Sequence, residues 1–221
     1  MFPIRDSEPS YTKPVVTMVI IAVNLLVFLF EASLDPYTLN AFIAHYGLIP
    51  AEFHTSAIFT SMFVHGGWLH VLGNMWFLWI FGNNIEDILG HEKYLIFYIL
   101  CGVAAAITQT YFNFDSQVPM VGASGAIAGV MGAYLIKFPH ARIRTLFFFI
   151  FIMFFDIPAW VMLVYWFAIQ FFSGIGSIAE STANSGGTAF FAHVGGFLTG
   201  ILLVNVLRPR QRYVRRWNPY Q

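Results

Sequence analysis

Residues 122–125 read Gly-Ala-Ser-Gly and place a serine among small residues at the start of an apolar segment. One histidine, His193, lies in the last apolar segment of the chain. A hydroxyl and an imidazole are costly inside apolar segments unless they bond each other or serve a function. The two residues therefore predict a nucleophile, Ser124, with His193 as its base, working within a membrane.

The composition around this pair favours a membrane protein. Charged residues make up 10% of the chain, hydrophobic residues 58% and aromatic residues 19%. A soluble chain of 221 residues could not bury that much apolar surface in one core. No basic run interleaved with aromatic residues precedes the C-terminal tail, so we expect no nucleic-acid partner. The lone Cys101 excludes disulfides and cysteine-based metal sites, and we expect no cofactor.

Six apolar spans predict an all-α polytopic membrane protein, with a six-helix bundle at residues 15–207. The spans are Val15 to Ala32, Trp68 to Leu89, Tyr94 to Phe112, Ser124 to Ile136, Pro158 to Phe172 and Thr188 to Leu207. A tail at residues 1–14 precedes the bundle, and a basic tail at residues 208–221 follows it. The first stretch resembles a signal anchor, since it lacks a clear small-residue cleavage site.

Residues 142–157 are expected to form an apolar loop on the cytoplasmic side. Their apolar core, Leu146 to Phe155, would rise only about 15 Å as a helix, half of a roughly 30 Å hydrocarbon layer. We expect this loop to lie in the interface or to pack against the bundle.

The basic residues fix the expected topology, since short cytoplasmic loops retain them. The two tails hold Arg5, Lys13, Arg208, Arg210, Arg212, Arg215 and Arg216, and two loops on the same side hold Lys93, Lys137, Arg142 and Arg144. These are all 11 lysines and arginines of the chain. The expectation is a multi-pass protein of the cell (inner) membrane, with both termini cytoplasmic and the site open to the outer face.

Depth can be counted from the cytoplasmic anchor of each helix at 1.5 Å per residue. Ser124, His193 and Asn74 then lie about 20, 22 and 18 Å from that edge. Three polar residues from three helices at one level indicate a site. Either Ser124 or His193 taken alone would be explained by an ordinary interhelical hydrogen bond.

Small residues would let the fourth and sixth helices bring the two groups together. GxxxG faces permit close helix contact, although such patterns usually mean only packing. The expected packing glycines are Gly122, Gly125, Gly129, Gly196 and Gly200.

Acyl transfer also needs donors for an oxyanion. His70 and Asn74 are four residues apart and project from one helix face, and the Ser124 backbone N–H has no intrahelical acceptor. A zinc site built from His65, His70 and His193 is the rival interpretation. The five-residue gap between His65 and His70 and the lack of a carboxylate near this level argue against it. His65 is instead expected to tie down the loop before the helix.

At these residues the chain resembles the rhomboid family of intramembrane serine proteases. The resemblance is carried by His-x-x-x-Asn at residues 70–74, Gly-x-Ser-Gly at residues 122–125 and Ala-His-x-x-Gly at residues 192–196. It implies a Ser124–His193 dyad without an acid. It also implies an oxyanion site from His70, Asn74 and the Ser124 amide.

The same resemblance implies substrates and a structural residue. The substrates would be transmembrane segments of other proteins, cut near their outer ends with small residues favoured. Glu86 would anchor the cytoplasmic end of helix two. The fifth helix would be a lateral gate. Separately from the resemblance, water must reach a site below the surface, so we expect an outward-opening cavity covered by the loop from Ser173 to Gly187.

Two features depart from some relatives. Ala128 stands where a tyrosine would stack on the catalytic histidine, so another group must orient His193. A tryptophan–arginine pair is absent from the first loop, residues 33–67, which is expected to be amphipathic and embedded in the outer leaflet.

Two other functions remain open. A rhomboid-like protein could bind client transmembrane helices without cutting them, although both Ser124 and His193 are present. A transporter with an intramembrane histidine is a third interpretation, weakened by the lack of a carboxylate in the spans facing the site. The natural substrate and the oligomeric state are not predicted.

Overall fold

The computed structural model describes residues 2–148, 152–179 and 189–207. Within these ranges the elements follow one another as β1 (Phe2–Arg5), α1 (Val15–Glu31), α2 (Pro36–Tyr46), a 3₁₀ turn (Pro50–Glu52), α3 (Ala57–Thr60), α4 (Trp68–Leu89), α5 (His91–Phe112), α6 (Ser124–Lys137), β2 (Arg142–Phe148), β3 (Ile152–Pro158), α7 (Ala159–Ala179) and α8 (Phe190–Val206). The predicted basic tail, residues 208–221, lies outside the described residues.

Each of the six predicted spans coincides with one long helix: α1, α4, α5, α6, α7 and α8. Two stretches of the described residues, His91–Phe112 and Ala159–Gly176, are long and apolar enough to cross a membrane by length and composition. Three of the other helices, α1, α6 and α8, are apolar but shorter. The count of six spans therefore stays a prediction, within a mostly helical fold.

Helix α7 is longer than the sequence predicts. It continues to Ala179, seven residues beyond the expected end at Phe172. The first residues of the predicted loop from Ser173 to Gly187 are therefore helical, which corrects that boundary. Residues 180–188, which include the rest of that loop, lie outside the described part of the chain.

Helix α6 lies at the centre of the bundle and packs directly against α8. A Cβ atom added to Gly196 would overlap the carbonyl oxygen of Gly125, and one added to Gly200 would overlap the carbonyl oxygen of Gly129. At these four glycines the two helices therefore touch backbone to backbone. Since side chains larger than hydrogen would separate the helices, the glycines set how closely the start of α6 approaches the start of α8.

At one end of the bundle, Glu86 joins three helices. Its carboxylate accepts hydrogen bonds from the backbone amides of Val16 and Thr17 at 2.8 Å each, and it contacts His91 Nδ1 at 2.6 Å. Val16 and Thr17 belong to the first turn of α1, where amides lack intrahelical acceptors. A carboxylate at this position satisfies two of them and faces the positive end of the helix dipole.

The predicted apolar loop at residues 142–157 contains strands in its described parts. Arg142–Phe148 and Ile152–Pro158 are the antiparallel strands β2 and β3, paired from Arg142↔Pro158 to Phe148↔Ile152. Strand β1, from the predicted N-terminal tail, pairs with the free edge of β2. The segment is rich in phenylalanine and isoleucine, which favour a pleated, half-buried surface. The mostly helical fold agrees with the all-α prediction, and the structure adds a small three-stranded sheet at one end of the bundle.

The N-terminal segment after β1 is bonded to the same end of the bundle. The carboxylate of Asp6 accepts a hydrogen bond from the Tyr134 hydroxyl of α6 at 2.9 Å. The hydroxyl of Thr12 donates to Asp87 of α4 at 2.6 Å. Residues 2–12 thus cross the ends of α4 and α6 as a strap, which the expectation of a simple tail did not include.

The strap should make stability depend on pH. Burial raises the pKa of Asp6 from 3.8 to about 6, and the hydrogen bond from Tyr134 opposes this shift only in part. Between about pH 4 and pH 6 the folded protein holds a proton that the unfolded chain releases, so stability falls as pH rises through this window. We expect the thermal unfolding midpoint of the wild type in detergent to fall through this window more than that of Asp6→Asn. Parallel profiles for the two proteins would contradict this expectation.

The first loop, residues 33–67, packs partly on the bundle. Leu48 and Ile58 are buried in one cluster with Ala106 of α5. Phe53 and Phe59 remain exposed. The buried apolar residues of this loop contact protein, and its position in the outer leaflet stays a prediction. The exposed phenylalanines are the part of this loop that could still face lipid.

Candidate active site

Ser124 and His193 meet at the contact between α6 and α8. The Ser124 Oγ and His193 Nε2 atoms are 2.8 Å apart, within hydrogen-bonding distance. Ser124 is the first residue of α6, and His193 lies in the first turn of α8. The imidazole is 8% exposed. The backbone contacts of the glycines described above place these two helix starts within reach of each other.

Two residues of α7 hold the other side of the imidazole. The Gln170 Oε1 atom is 2.7 Å from His193 Nδ1. The ring of Trp166 lies 5.5 Å from the imidazole, centroid to centroid, at an angle of 39°. Ala128 carries no ring that could stack on His193, and Trp166 and Gln170 contact the imidazole from α7 instead. Sequence reasoning missed both residues, although Gln170 is the one amide side chain among residues 159–172.

His70 and Asn74 converge on the loop just before Ser124. A Cβ atom on Gly122 would lie 2.6 Å from His70 Nε2 and 3.3 Å from Asn74 Nδ2. The Gly66 amide points at His70 Nδ1 at 3.4 Å, which favours a lone pair on Nδ1 and the proton on Nε2. Both α4 side chains can therefore present an N–H group toward the start of α6.

His65 supports Asn74. Its Nδ1 atom lies 3.2 Å from the Phe63 carbonyl oxygen, so Nδ1 carries the proton and Nε2 accepts a hydrogen bond from Asn74 Nδ2 at 3.0 Å. His65 precedes the start of α4 at Trp68, so helical spacing does not govern its position. The expected misalignment of His65 and His70 is thus wrong, because their rings lie 5.2 Å apart.

A buried carboxylate lies behind this histidine. Glu31, at the end of α1, is 1% exposed and accepts a hydrogen bond from the His65 backbone amide at 3.1 Å. The expectation that no carboxylate lies near this level overlooked it, because Glu31 falls at the very end of a predicted span. Within the described residues, no three histidine, cysteine, aspartate or glutamate side chains group as metal ligands.

The loop before α6 is held in place by backbone hydrogen bonds to the first loop. Met120 and Leu48 exchange backbone hydrogen bonds of 2.8 and 2.9 Å, and the Gly122 amide donates to the Ser61 carbonyl at 2.8 Å. These bonds satisfy irregular backbone inside an apolar bundle. Gly122 has a φ of +116°, a conformation that favours glycine. A side chain there would also collide with His70.

The amide of Ser124 is a third donor toward the same place. The N-cap residue of α6, Ala123, makes no side-chain capping bond. Amides of a first helical turn lack intrahelical acceptors and form the positive end of the helix dipole. An oxygen that carries developing negative charge beside Ser124 would therefore face the amide of this residue together with His70 and Asn74.

A recess opens beside the Ser124 hydroxyl. It encloses about 310 Å³ of space, counted with its open mouth. Its wall includes Ala105, Gly125 and Ala192, together with Met62 and Met120. Because Ala105, Gly125 and Ala192 are small, this wall suits a small side chain placed next to the hydroxyl.

Comparison with known proteins gives a family match over most of the chain. The model described as "Rhomboid domain" matches residues 52–210. This range contains α4, α6 and α8, and therefore all the side chains placed around Ser124. It begins after α1 and α2, so the match does not cover the N-terminal strap.

Several curated proteins are similar in sequence. Rhomboid protein 1, mitochondrial, of Saccharomyces cerevisiae is 28% identical over 73% of this chain and 45% of its own length. Presenilin-associated rhomboid-like protein, mitochondrial, of Homo sapiens is 33% identical over 58% of this chain and 34% of its own length. Rhomboid protease GluP of Bacillus subtilis is 34% identical over 56% of this chain and 24% of its own length. The chain thus spans less than half the length of each of these relatives.

The relatives correct the expected location. The yeast and human proteins are both named as mitochondrial. These names point to a mitochondrial membrane and overturn the expectation of the cell inner membrane. The assignment of cytoplasmic and outer faces depended on that expectation and falls with it. If the six predicted spans are correct, all lysines and arginines still lie on the same side of the membrane.

Proposed function

The chain belongs to the rhomboid family, and from this premise we propose that it is an intramembrane serine endopeptidase. It hydrolyses peptide bonds in or near transmembrane segments of other membrane proteins. The family includes a relative named as a protease. The observation that carries the proposal is the 2.8 Å contact between Ser124 Oγ and His193 Nε2, with donors gathered beside it.

In the first step His193 acts as a general base. The Ser124 hydroxyl donates its hydrogen bond to the Nε2 lone pair, and the proton moves to Nε2 as Oγ attacks the substrate carbonyl carbon. A C–O bond forms and the carbonyl π electrons move to oxygen. The charge on that oxygen develops where the Ser124 amide, His70 and Asn74 can donate hydrogen bonds.

In the second step the intermediate collapses. The C–N bond of the peptide breaks, and protonated His193 gives its Nε2 proton to the leaving amine. The remaining acyl group is an ester on Ser124. Water then attacks this ester with His193 again as the base, and the carboxylic product and the free serine are released.

The recess beside Ser124 supports a small residue at the cleavage site. Small side chains such as those of Ala105 and Ala192 line the space next to the hydroxyl, and a small substrate side chain would pack against them. We therefore propose transmembrane segments with a small residue at the cut as the substrate class.

The test uses purified protein in liposomes with a model transmembrane substrate. The wild type should release two fragments whose new ends, read by mass spectrometry, lie at a small residue. A fluorophosphonate should label the protein, and the adduct should map to the peptide that contains Ser124. The label reports the activated hydroxyl independently of whether the chosen substrate fits.

The outcomes separate the proposal from a non-catalytic binder. Folded protein that retains a transmembrane peptide without cutting it, and that takes no label, would identify a binder of client helices. Labelling at a serine other than Ser124 would overturn the assignment of the nucleophile.

A further inference from the structure

We propose that Gln170 is a positioning residue that fixes the orientation and the tautomer of His193. Its amide oxygen holds the Nδ1 proton, so that Nε2 presents a lone pair to Ser124. This inference rests on the proposed function, because it assigns the support of the same base. It also makes that base depend on a third helix, α7.

The hydrogen-bond chemistry leaves one arrangement. An amide oxygen has lone pairs and no proton, so the group that contacts Gln170 Oε1 at 2.7 Å must be an N–H. In a neutral imidazole a proton on Nδ1 leaves Nε2 as the acceptor. The Ser124 hydroxyl, 2.8 Å from Nε2, must then be the donor. This is the tautomer that a base for Ser124 requires.

The setting of Gln170 supports a specific role. Helix α7 is otherwise apolar around it, and residues 159–172 contain no charged side chain. An amide in such a helix is unfavourable unless both of its ends are bonded or its bond serves a function. The side chain is half-buried, and its oxygen points at the imidazole rather than away from the bundle.

Trp166 acts with Gln170 from the same face of α7. The two residues are four apart, so they project side by side. The indole covers one flank of the imidazole at 5.5 Å, while the amide holds its edge. Together they restrict rotation of the ring about its own bonds. The position of the base is therefore set by α8, and its rotation and tautomer by α7.

Because α7 supports only the ring of His193, a movement of α7 would regulate the site. The nucleophile and the base stay together through the glycine contacts of α6 and α8, whatever α7 does. A displacement of α7 by about 1 Å would stretch the 2.7 Å bond beyond hydrogen-bonding range without separating Ser124 from His193. Activity should therefore require α7 packed against α8, even though α7 supplies no reacting atom.

The chain offers a matched control in a second glutamine. The Gln109 Oε1 atom of α5 accepts a hydrogen bond from the backbone amide of Ala192 at 3.1 Å. Both glutamines thus support the start of α8, but only Gln170 bonds the imidazole. Replacing Gln109 with leucine removes a structural bond of similar kind and leaves both ring nitrogens as they were.

The experiment compares Gln170→Leu, Gln170→Glu and Gln109→Leu in the liposome cleavage assay. Gln170→Leu should lower kcat by about 10-fold with KM little changed, because part of the imidazole population adopts the wrong tautomer or rotation. Gln170→Glu keeps an acceptor at the same length. Its kcat at its own optimum should stay within a few-fold of wild type, while the acid limb of its pH–rate profile moves up by about one pH unit. Gln109→Leu should leave the acid limb in place.

A second readout does not use cleavage. Nitrogen chemical shifts of ¹⁵N-labelled histidine, assigned to His193 by its substitution, report which ring nitrogen carries the proton. The wild type should show the proton on Nδ1, and Gln170→Leu should show a mixture of tautomers. If the wild type cuts no substrate but shows this difference, the proposed function fails while the positioning role stands.

Three results would overturn the positioning role. The first is wild-type kcat in Gln170→Leu together with an unmoved acid limb in Gln170→Glu. The second is a loss of activity that follows the melting temperature equally in all three variants, which would make Gln170 purely structural. The third is the same His193 tautomer in wild type and Gln170→Leu.

Discussion

Ser124→Ala is expected to reduce substrate cleavage by about 10⁴-fold or more, to the background of the assay, and to abolish fluorophosphonate labelling. The variant loses only the hydroxyl oxygen, so no other group can form the ester. The fold should persist, because Ser124 is only half-buried and alanine is a good residue for the start of a helix. Binding of a transmembrane substrate should be retained, since the recess and the oxyanion donors are unchanged.

Ser61→Ala is the matched control for this variant. Ser61 lines the same recess and is 2% exposed, and its backbone carbonyl, which alanine keeps, accepts the Gly122 amide. Cleavage and labelling should therefore survive in Ser61→Ala and vanish in Ser124→Ala. Cleavage by Ser124→Ala at the wild-type rate would remove Ser124 from the mechanism.

The proximity of Ser124 and His193 could be predicted from sequence because long apolar helices are nearly straight, while their role as a catalytic dyad stays a prediction. Counting residues from a charged end gives a depth, and Ser124, His193 and Asn74 gave one level. The method needs a helix and an anchor, and it fails where either is missing. His65 lies outside α4, so the helical spacing applied to the gap between His65 and His70 misjudged its face, and its bond to Asn74 was not predicted.

The sheet could not be predicted for a different reason. Pairing of β1 with β2 joins residues about 140 positions apart, and no local pattern in residues 2–5 predicts it. A strand of four residues gains its stability from the partner and not from its own propensity. The apolar segment at residues 142–157 was recognised as unusual, but its partner was not.

The sequence indicates that Gln170 has a bonded partner but does not identify that partner. An amide in an apolar helix signals a bonded partner, yet the partner lies on α8, and nothing in the sequence specifies how α7 and α8 are rotated against each other. The glycines of α6 and α8 carry that information for their own contact, because only one face of each helix lacks side chains. On α7, Gly174 also packs against α8, but it contacts the side chains of Phe190 and Phe191 and not the backbone, so it does not fix the rotation of the two helices in the same way.

Taken together, the site draws its parts from four helices. In the proposed mechanism, helix α6 provides the nucleophile and one amide, α8 the base, and α4 the two side-chain donors. In the same proposal, helix α7 orients the base. Helices α4, α6 and α8 meet at the site through buried side chains and backbone atoms. Helix α7 reaches the site through two half-buried side chains, Trp166 and Gln170. Changes in α7 should therefore alter turnover more readily than they alter the assembly of the other three helices.

Asn74→Ala is expected to lower kcat by roughly 10² to 10³-fold with substrate affinity retained. The Asn74 Nδ2 atom is held by its bond to His65 Nε2 at 3.0 Å and faces the loop before Ser124. The second N–H of Asn74 can donate a hydrogen bond to the substrate carbonyl oxygen as negative charge develops there. This hydrogen bond is stronger in the transition state than in the ground state. Kinetics in liposomes would show the loss in kcat, and binding of the substrate to the inactive Ser124→Ala, Asn74→Ala double variant would measure affinity.

Asn24→Ala provides the comparison that separates catalysis from stability. Asn24 is also a buried asparagine, but its amide bonds the Ile20 carbonyl within its own helix, α1. Loss of either side chain should lower the melting temperature by a similar amount, because each removes a buried hydrogen bond. Only Asn74→Ala should then lose turnover beyond what its stability explains. If the two variants fell equally in kcat at a temperature where both are folded, Asn74 would support α4 and not the oxyanion, and the charge would rest on His70 and the Ser124 amide alone.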